Sequence, residues 1–171
     1  MNRTLTGISI FFVSILCIIS LVYAQEDTQK SPTDISSDKM TYTGQDNLII
    51  FSGNVHVVRP DFQLWSRELH VYLKPGQGME PADQQENIDK ILAMGNVRIQ
   101  SERRKGYSDL LTYLPDTGEA RLEGNPRLQE DQNSVEGETI ILNMNKNTSE
   151  VLGGPGKRVR VIFHTDSEVQ E

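Results

Sequence analysis

Cysteine is almost missing from this chain: one, Cys17, in 171 residues. It sits inside an apolar leader with nothing to pair with, so disulfides play no part in the fold. Basic residues are short too, 17 against 24 acidic, for a net charge of −7. That balance argues against a nucleic-acid partner, which needs a basic surface to neutralise phosphates. It also argues against gathering an anionic ligand by bulk attraction; an anionic amphiphile would have to be held by its apolar part. No stretch sustains a helical period. No serine, cysteine or carboxylate pair stands in a recognisable catalytic arrangement, so no enzyme is expected. His56 and His70 fall in segments of different kind without ligand spacing, and neither a metal nor a cofactor is expected. Gly153-Gly154-Pro155-Gly156 is followed by no helix pattern, which a phosphate-cradling loop requires, and reads as a corner.

Long hydrophobic runs are absent but for one, Ile8 to Ala24. Arg3 precedes it, and Val22-Tyr23-Ala24 offers the small residues that a signal peptidase reads, so residues 1–24 are expected to be a cleaved export signal. As a helix the run would reach roughly 25 Å, short of a bilayer core of about 30 Å, and the alternative is an uncleaved anchor. Residues 25–36 are polar and proline-containing and read as a flexible lead-in; 164–171 read as a flexible tail. The domain is expected over 37–163.

What is present is a repeat. Apolar runs close on Phe51-Ser52-Gly53-Asn54-Val55, Met94-Gly95-Asn96-Val97, Glu123-Gly124-Asn125-Pro126 and Leu152-Gly153-Gly154-Pro155. Between these corners comes a second phrase, an acidic residue followed by alternating apolar positions, at Asp38, Glu68, Asp109 and Glu138. From acidic residue to next glycine is 15 residues at Asp38, Asp109 and Glu138; from glycine to next acidic residue is 15, 14 and 14. Only Glu68 to Gly95 is longer, at 27, and the polar run from Lys74 to Asn87 accounts for the excess as a surface loop.

Segments of four to eight residues rich in Val, Ile, Leu, Tyr and Thr are bounded by Gly, Asn, Asp and Pro, the mark of strands. Their side chains alternate between faces. Aligned on the glycines, one face carries Ile49, Phe51, Val55 and Val57; Ile91, Ala93, Val97 and Ile99; Ala120, Leu122, Pro126 and Leu128. Aligned on the acidic residues, it carries Met40 and Tyr42, His70 and Tyr72, Leu111 and Tyr113, Ile140 and Leu142. The Glu68 segment is ambiguous, because Trp65, Leu69 and Val71 make its other face equally apolar. Alternating antiparallel rungs joined at glycine corners fold into two facing sheets with apolar columns inside, built from double-strand repeats of about 29 residues. Glycine serves where the backbone takes positive φ, and Asn is the next most tolerant residue. Pro126 removes a ladder donor and predicts a bulge or opening at the third corner. Such a stack leaves its first and last rungs as open edges.

The leader, the Gly-Asn-Val rungs, the acidic rungs with their tyrosines and the closing Gly154-Pro155-Gly156-Lys157-Arg158-Val159 together resemble the LptA/OstA family, periplasmic proteins of lipopolysaccharide export. The resemblance runs from about Ser37 to Phe163 and implies an all-β fold, a twisted half-open antiparallel β-jellyroll whose apolar slot receives acyl chains. The slot lining it implies here is Ile49, Phe51, Val55, Val57, Tyr72, Ile91, Val97, Ile99, Leu111, Tyr113, Leu122, Leu128, Ile140 and Leu142. Met40, Tyr42, Lys157, Arg158 and Arg160 would form docking edges. The implied partners are lipopolysaccharide, an inner-membrane-anchored relative and an outer-membrane β-barrel component, reached by strand addition, with head-to-tail self-stacking as a further possibility. The implied location is the periplasm. The rival readings are the anchored member of the same superfamily, a structural envelope scaffold that holds no lipid, and a glycan hydrolase. Glu102-Arg103-Arg104-Lys105-Gly106 reads as a solvated hairpin tip, with contact to anionic head groups as the alternative.

Overall fold

The computed structural model of the protein describes residues 32–76 and 87–164. The expected leader, the first part of the lead-in, most of the tail and much of the polar loop lie outside the described residues. Twelve antiparallel strands follow in order: β1 (Asp34–Ser36), β2 (Lys39–Thr43), β3 (Leu48–Val58), β4 (Gln63–Leu73), β5 (Ile88–Gln100), β6 (Arg104–Leu114), β7 (Glu119–Glu123), β8 (Arg127–Glu130), β9 (Asn133–Glu136), β10 (Thr139–Asn143), β11 (Thr148–Leu152) and β12 (Arg160–Ile162). Strand β1 begins inside the segment expected to be lead-in and pairs Ile35 with Val57.

The expected corners lie within long strands rather than between them. Register shifts at Ser52/Val55 in β3 and Met94/Val97 in β5 mark bulges at Gly53-Asn54 and Gly95-Asn96. Each long strand thereby serves two sheets. The first contains β2, the leading half of β3, the trailing half of β4, the leading half of β5, the trailing half of β6, then β7, β10 and β11; the second contains β1, the remaining halves of β3 to β6, then β8, β9 and β12. At Pro126 the break is complete: β6 pairs with β7 through Leu114 to Leu110 and with β8 through Tyr107 to Arg104. The result is an all-antiparallel, half-open β-jellyroll.

Both residues of each Gly-Asn pair are left-handed: Gly53 and Asn54 at φ 77° and 48°, Gly95 and Asn96 at 78° and 52°, Gly124 and Asn125 at 74° and 55°. The acidic phrase explains itself at these corners. Asp38 lies over Gly53, its N–H donates to the Gly53 carbonyl at 2.9 Å, and its carboxylate accepts from Asn54 Nδ2 at 2.9 Å. Asp109 lies over Gly124 in the same way, its N–H donating at 3.0 Å. Over Gly95 the covering residue is Arg67, not Glu68. The β4 repeat is therefore registered one residue earlier than the acidic alignment has it. Leu69 and Val71 point inward, and the inward placement of His70 and Tyr72 is corrected. The fourth corner also departs from expectation: neither Gly153 nor Gly154 has positive φ, and Glu138 covers Gly154.

A Cβ on Gly124 would come within 2.6 Å of the Asp109 Cβ, on a backbone that L-residues adopt at a cost of about 1–2 kcal/mol. Gly124→Ala is expected to lower the unfolding free energy read from urea denaturation by at least that much, and the midpoint with it. Gly44→Ala, which would meet only the Tyr42 ring at 3.6 Å, should stay within about 0.5 kcal/mol of the parent. Equal midpoints for the two variants would contradict this account of the corners.

Candidate apolar slot and sheet edges

Register turns the apolar columns into continuous rows, because directly opposed residues share a face. In the first sheet one row reads Met40, Phe51, Leu69, Ala93, Leu111, Leu122, Ile140, Val151. The next reads Tyr42, Ile49, Val71, Ile91, Tyr113, Ala120, Leu142, Ser149. In the second sheet Ile35, Val57, Leu64, Ile99, Gly106, Leu128, Val135 and Val161 form a third. All three run from one free edge of the molecule to the other. The expected lining residues Ile49, Phe51, Val55, Val57, Ile91, Val97, Ile99, Leu111, Tyr113, Leu122, Leu128, Ile140 and Leu142 belong to one packed cluster. Tyr72 does not: it stands on the outer face, where the Lys90 ammonium lies 4.4 Å from its ring centroid.

The centre of this cluster is filled. Ala93, Leu122 and Ile140 are 0 % exposed. The two sheets touch there, since a Cβ on Gly106 in the second would stand 3.7 Å from a methyl of Leu122 in the first. Burial is deepest beside the corners, at Val55, Val97, Leu111 and Leu122, and falls away from them, where Ile49, Ile91, Ile99, Tyr113, Leu128 and Leu142 are only partly buried. Phe62 continues the second sheet's apolar face in that direction, and Leu73 and Ile88 the first's. The sheets thus close along the line of corners and present two lips away from it.

At the ends the rows run out into solvent. Met40 is 45 % exposed and Tyr42 39 %, on the same face as Phe51 and Ile49 but, among the described residues, with no strand beyond them. At the opposite end Leu152, Val159, Val161 and Phe163 are exposed, Phe163 to 78 %. Of the expected docking cations, Arg158 is exposed and Arg160 lies opposite Glu136 in β12. Lys157 instead turns back to the third corner, donating to Asn125 Oδ1 at 3.0 Å. The arginines of the hairpin tip are paired by the neighbouring β8–β9 turn: Arg103 with Asp131 at 3.1 Å and Arg104 with Glu130 at 3.3 Å. The hydrogen bond that Arg103 donates to Asp131, reinforced by that carboxylate's charge, raises the Arg103 pKa above its ordinary value. This favours the solvated-turn reading of the tip.

Among the described residues no helix is long and apolar enough to cross a membrane. The fold is similar to that of LptH from Pseudomonas aeruginosa, the LptA homologous periplasmic component of the conserved lipopolysaccharide transport device, with a TM-score of 0.64 at 13% sequence identity, over 78% of this chain and 96% of that one. No curated protein matches the sequence. The family described as LptA/(LptD N-terminal domain) LPS transport protein matches residues 34–148, the stretch from β1 to the start of β11 that builds the three apolar rows up to their last positions, Val151, Ser149 and Val161. The chain belongs to this family of lipopolysaccharide transport proteins.

Proposed function

We propose that this protein works in the periplasm after removal of its leader, holding the acyl chains of lipopolysaccharide between its two sheets while the sugar-bearing head stays outside. It then passes the lipid along the rows to the next domain of a bridge between the membranes. The observation that carries this reading is the continuity of the rows, apolar at almost every position from Met40, Tyr42 and Ile35 at one edge to Val151, Ser149 and Val161 at the other. Each methylene withdrawn from water is worth about 0.8 kcal/mol, so a chain of about a dozen carbons faces a barrier on the order of 10 kcal/mol if dragged bare through water. An apolar track removes that barrier, and no catalytic step is needed. Because the centre is filled, the lipid enters at the lips and parts the sheets away from the corners.

A photoreactive residue at Ile99, on the second sheet's lip, is expected to cross-link to lipopolysaccharide. One at Arg121, on the outer face of β7, is not. Equal yields at both positions, in folded protein, would sink the interior site. Val97, 2 % exposed beside the corner, is too deep to report on entry.

A further inference from the structure

We propose that the outer face of the second sheet carries a saccharide site at the third corner, built from Arg98, Tyr107, Asp109 and Asn125 and walled by Trp65. This site does not depend on lipid capture inside the fold. A concavity of about 460 Å³ opens there, lined by these residues together with Asn96, Val97 and Gly124. It forms where β6 exchanges β7 for β8, so that Ser108 and Asp109 fall in the gap between two ladders.

The outward row beside it is aromatic and cationic. His56, Trp65, Arg98, Tyr107 and Arg127 are directly opposed neighbours on successive strands. The indole of Trp65 is held on both faces: the His56 ring stacks at 4.8 Å and 11°, and the Arg98 guanidinium lies 3.9 Å from its centroid. That sandwich fixes Arg98, which has no carboxylate partner among the described residues, as a preoriented donor. Tyr107 remains exposed beside it, offering a ring face and a hydroxyl. Ser108, opposite the core residue Val97, faces inward and takes no part.

The mixture of groups selects the ligand class. Arg98 and the amide nitrogens of Asn96 and Asn125 donate, the Asp109 carboxylate accepts, and the Tyr107 hydroxyl does both. An anion is drawn by Arg98 and by Lys157 on Asn125 Oδ1, but it offers acceptors alone and leaves the Asp109 carboxylate unanswered; a cation offers donors alone and is repelled by both. A pyranose carries hydroxyls that donate and accept around its rim and C–H groups on its faces, and so answers both the polar set and the Tyr107 ring. In the envelope such sugars come from the glycan of lipopolysaccharide or from the cell-wall glycan.

Trp65 is the chain's single tryptophan, so its emission and its indole N–H resonance report this wall directly. The full folded chain would be titrated separately with deacylated lipopolysaccharide oligosaccharide, which has no acyl chain for the interior, with soluble cell-wall glycan fragments, and with inorganic phosphate. We expect a saturable shift of the Trp65 signals with one of the two saccharides and none with phosphate; which saccharide answers identifies the source. Tyr107→Phe and Arg98→Gln should weaken that response about fivefold or more each, the loss of one hydrogen bond. The proposal is overturned by the absence of saturation with either saccharide, by an equal response to phosphate, or by responses unchanged in both variants.

Discussion

Leu122→Asp should leave the chain unfolded, while Ile99→Asp, on the facing sheet, should leave a folded protein that no longer retains lipopolysaccharide. Leu122 is 0 % exposed and reaches across to the Gly106 backbone of the second sheet. Truncating a buried leucine costs about 2–5 kcal/mol through lost transfer energy and the cavity left behind. A carboxylate at that point adds several kcal/mol more, because no cation is there to pair with it. Together these meet or exceed the whole stability of a typical domain, about 5–15 kcal/mol. Circular dichroism without denaturant is the check, and a native strand signal with a cooperative melt would contradict the filled centre. At Ile99 the side chain lies on the lip, so a carboxylate there can turn to water, and the loss of stability should be about 1–3 kcal/mol. An acyl chain laid over it must either strip that charge of water or abandon the lip. Retention should fall about 100-fold, equivalent to roughly 2.7 kcal/mol, in a pull-down on lipopolysaccharide. A folded Ile99→Asp protein that binds as the parent does would remove the lip from the lipid's path.

The contrast between these residues was not legible in the sequence, where Ile99 and Leu122 are equivalent members of one alternating pattern. Alternation assigns a face; distance from the corner decides whether that face is sealed or open, and that follows from how the bulges bring the two sheets together. The corners themselves were legible, because Gly-Asn recurs wherever two successive residues are left-handed. So was the break at Pro126, from the missing donor. The slip at Glu68 came from following charge sign instead of spacing. Arg67 stands 14 residues after Gly53, the same interval that separates Gly95 from Asp109 and Gly124 from Glu138. Its guanidinium covers Gly95 much as the carboxylates cover theirs, since the position needs a polar side chain that can lie over glycine, not a negative charge. The outer row of His56, Trp65, Arg98, Tyr107 and Arg127 could not have been seen in the sequence. These residues become neighbours only through registers that the bulges set.

A chain carrying Met40→Cys and Val151→Cys, with Cys17→Ser, should form a ladder of disulfide-linked multimers on oxidation, whereas either cysteine alone should give no more than dimers. Each sheet contains eight successive antiparallel segments, an even number, so β2 of one copy and β11 of another in the same orientation run antiparallel to each other. Adding them edge to edge extends both rows of the first sheet, Val151 meeting Met40 and Ser149 meeting Tyr42. The second sheet continues in parallel, with Val161 meeting Ile35. Such a contact joins two different surfaces and does not close on itself, which is the geometry of a filament rather than a dimer. Directly opposed residues on neighbouring strands have Cβ atoms about 4.5–5.5 Å apart, at the upper margin of what a disulfide spans. A slip of one residue would put the two cysteines on opposite faces and abolish the bond; a slip of two would move the cross-link to a Met40→Cys and Ser149→Cys pair. Failure of both pairs in folded protein would end the case for self-stacking through these edges, leaving the exposed Met40, Tyr42, Val161 and Phe163 to partners of other sequence. A ladder with the first pair would mean that the acyl-chain track crosses from copy to copy without a polar gap, since every residue brought to the junction on the inner face of the two sheets is apolar except Ser149.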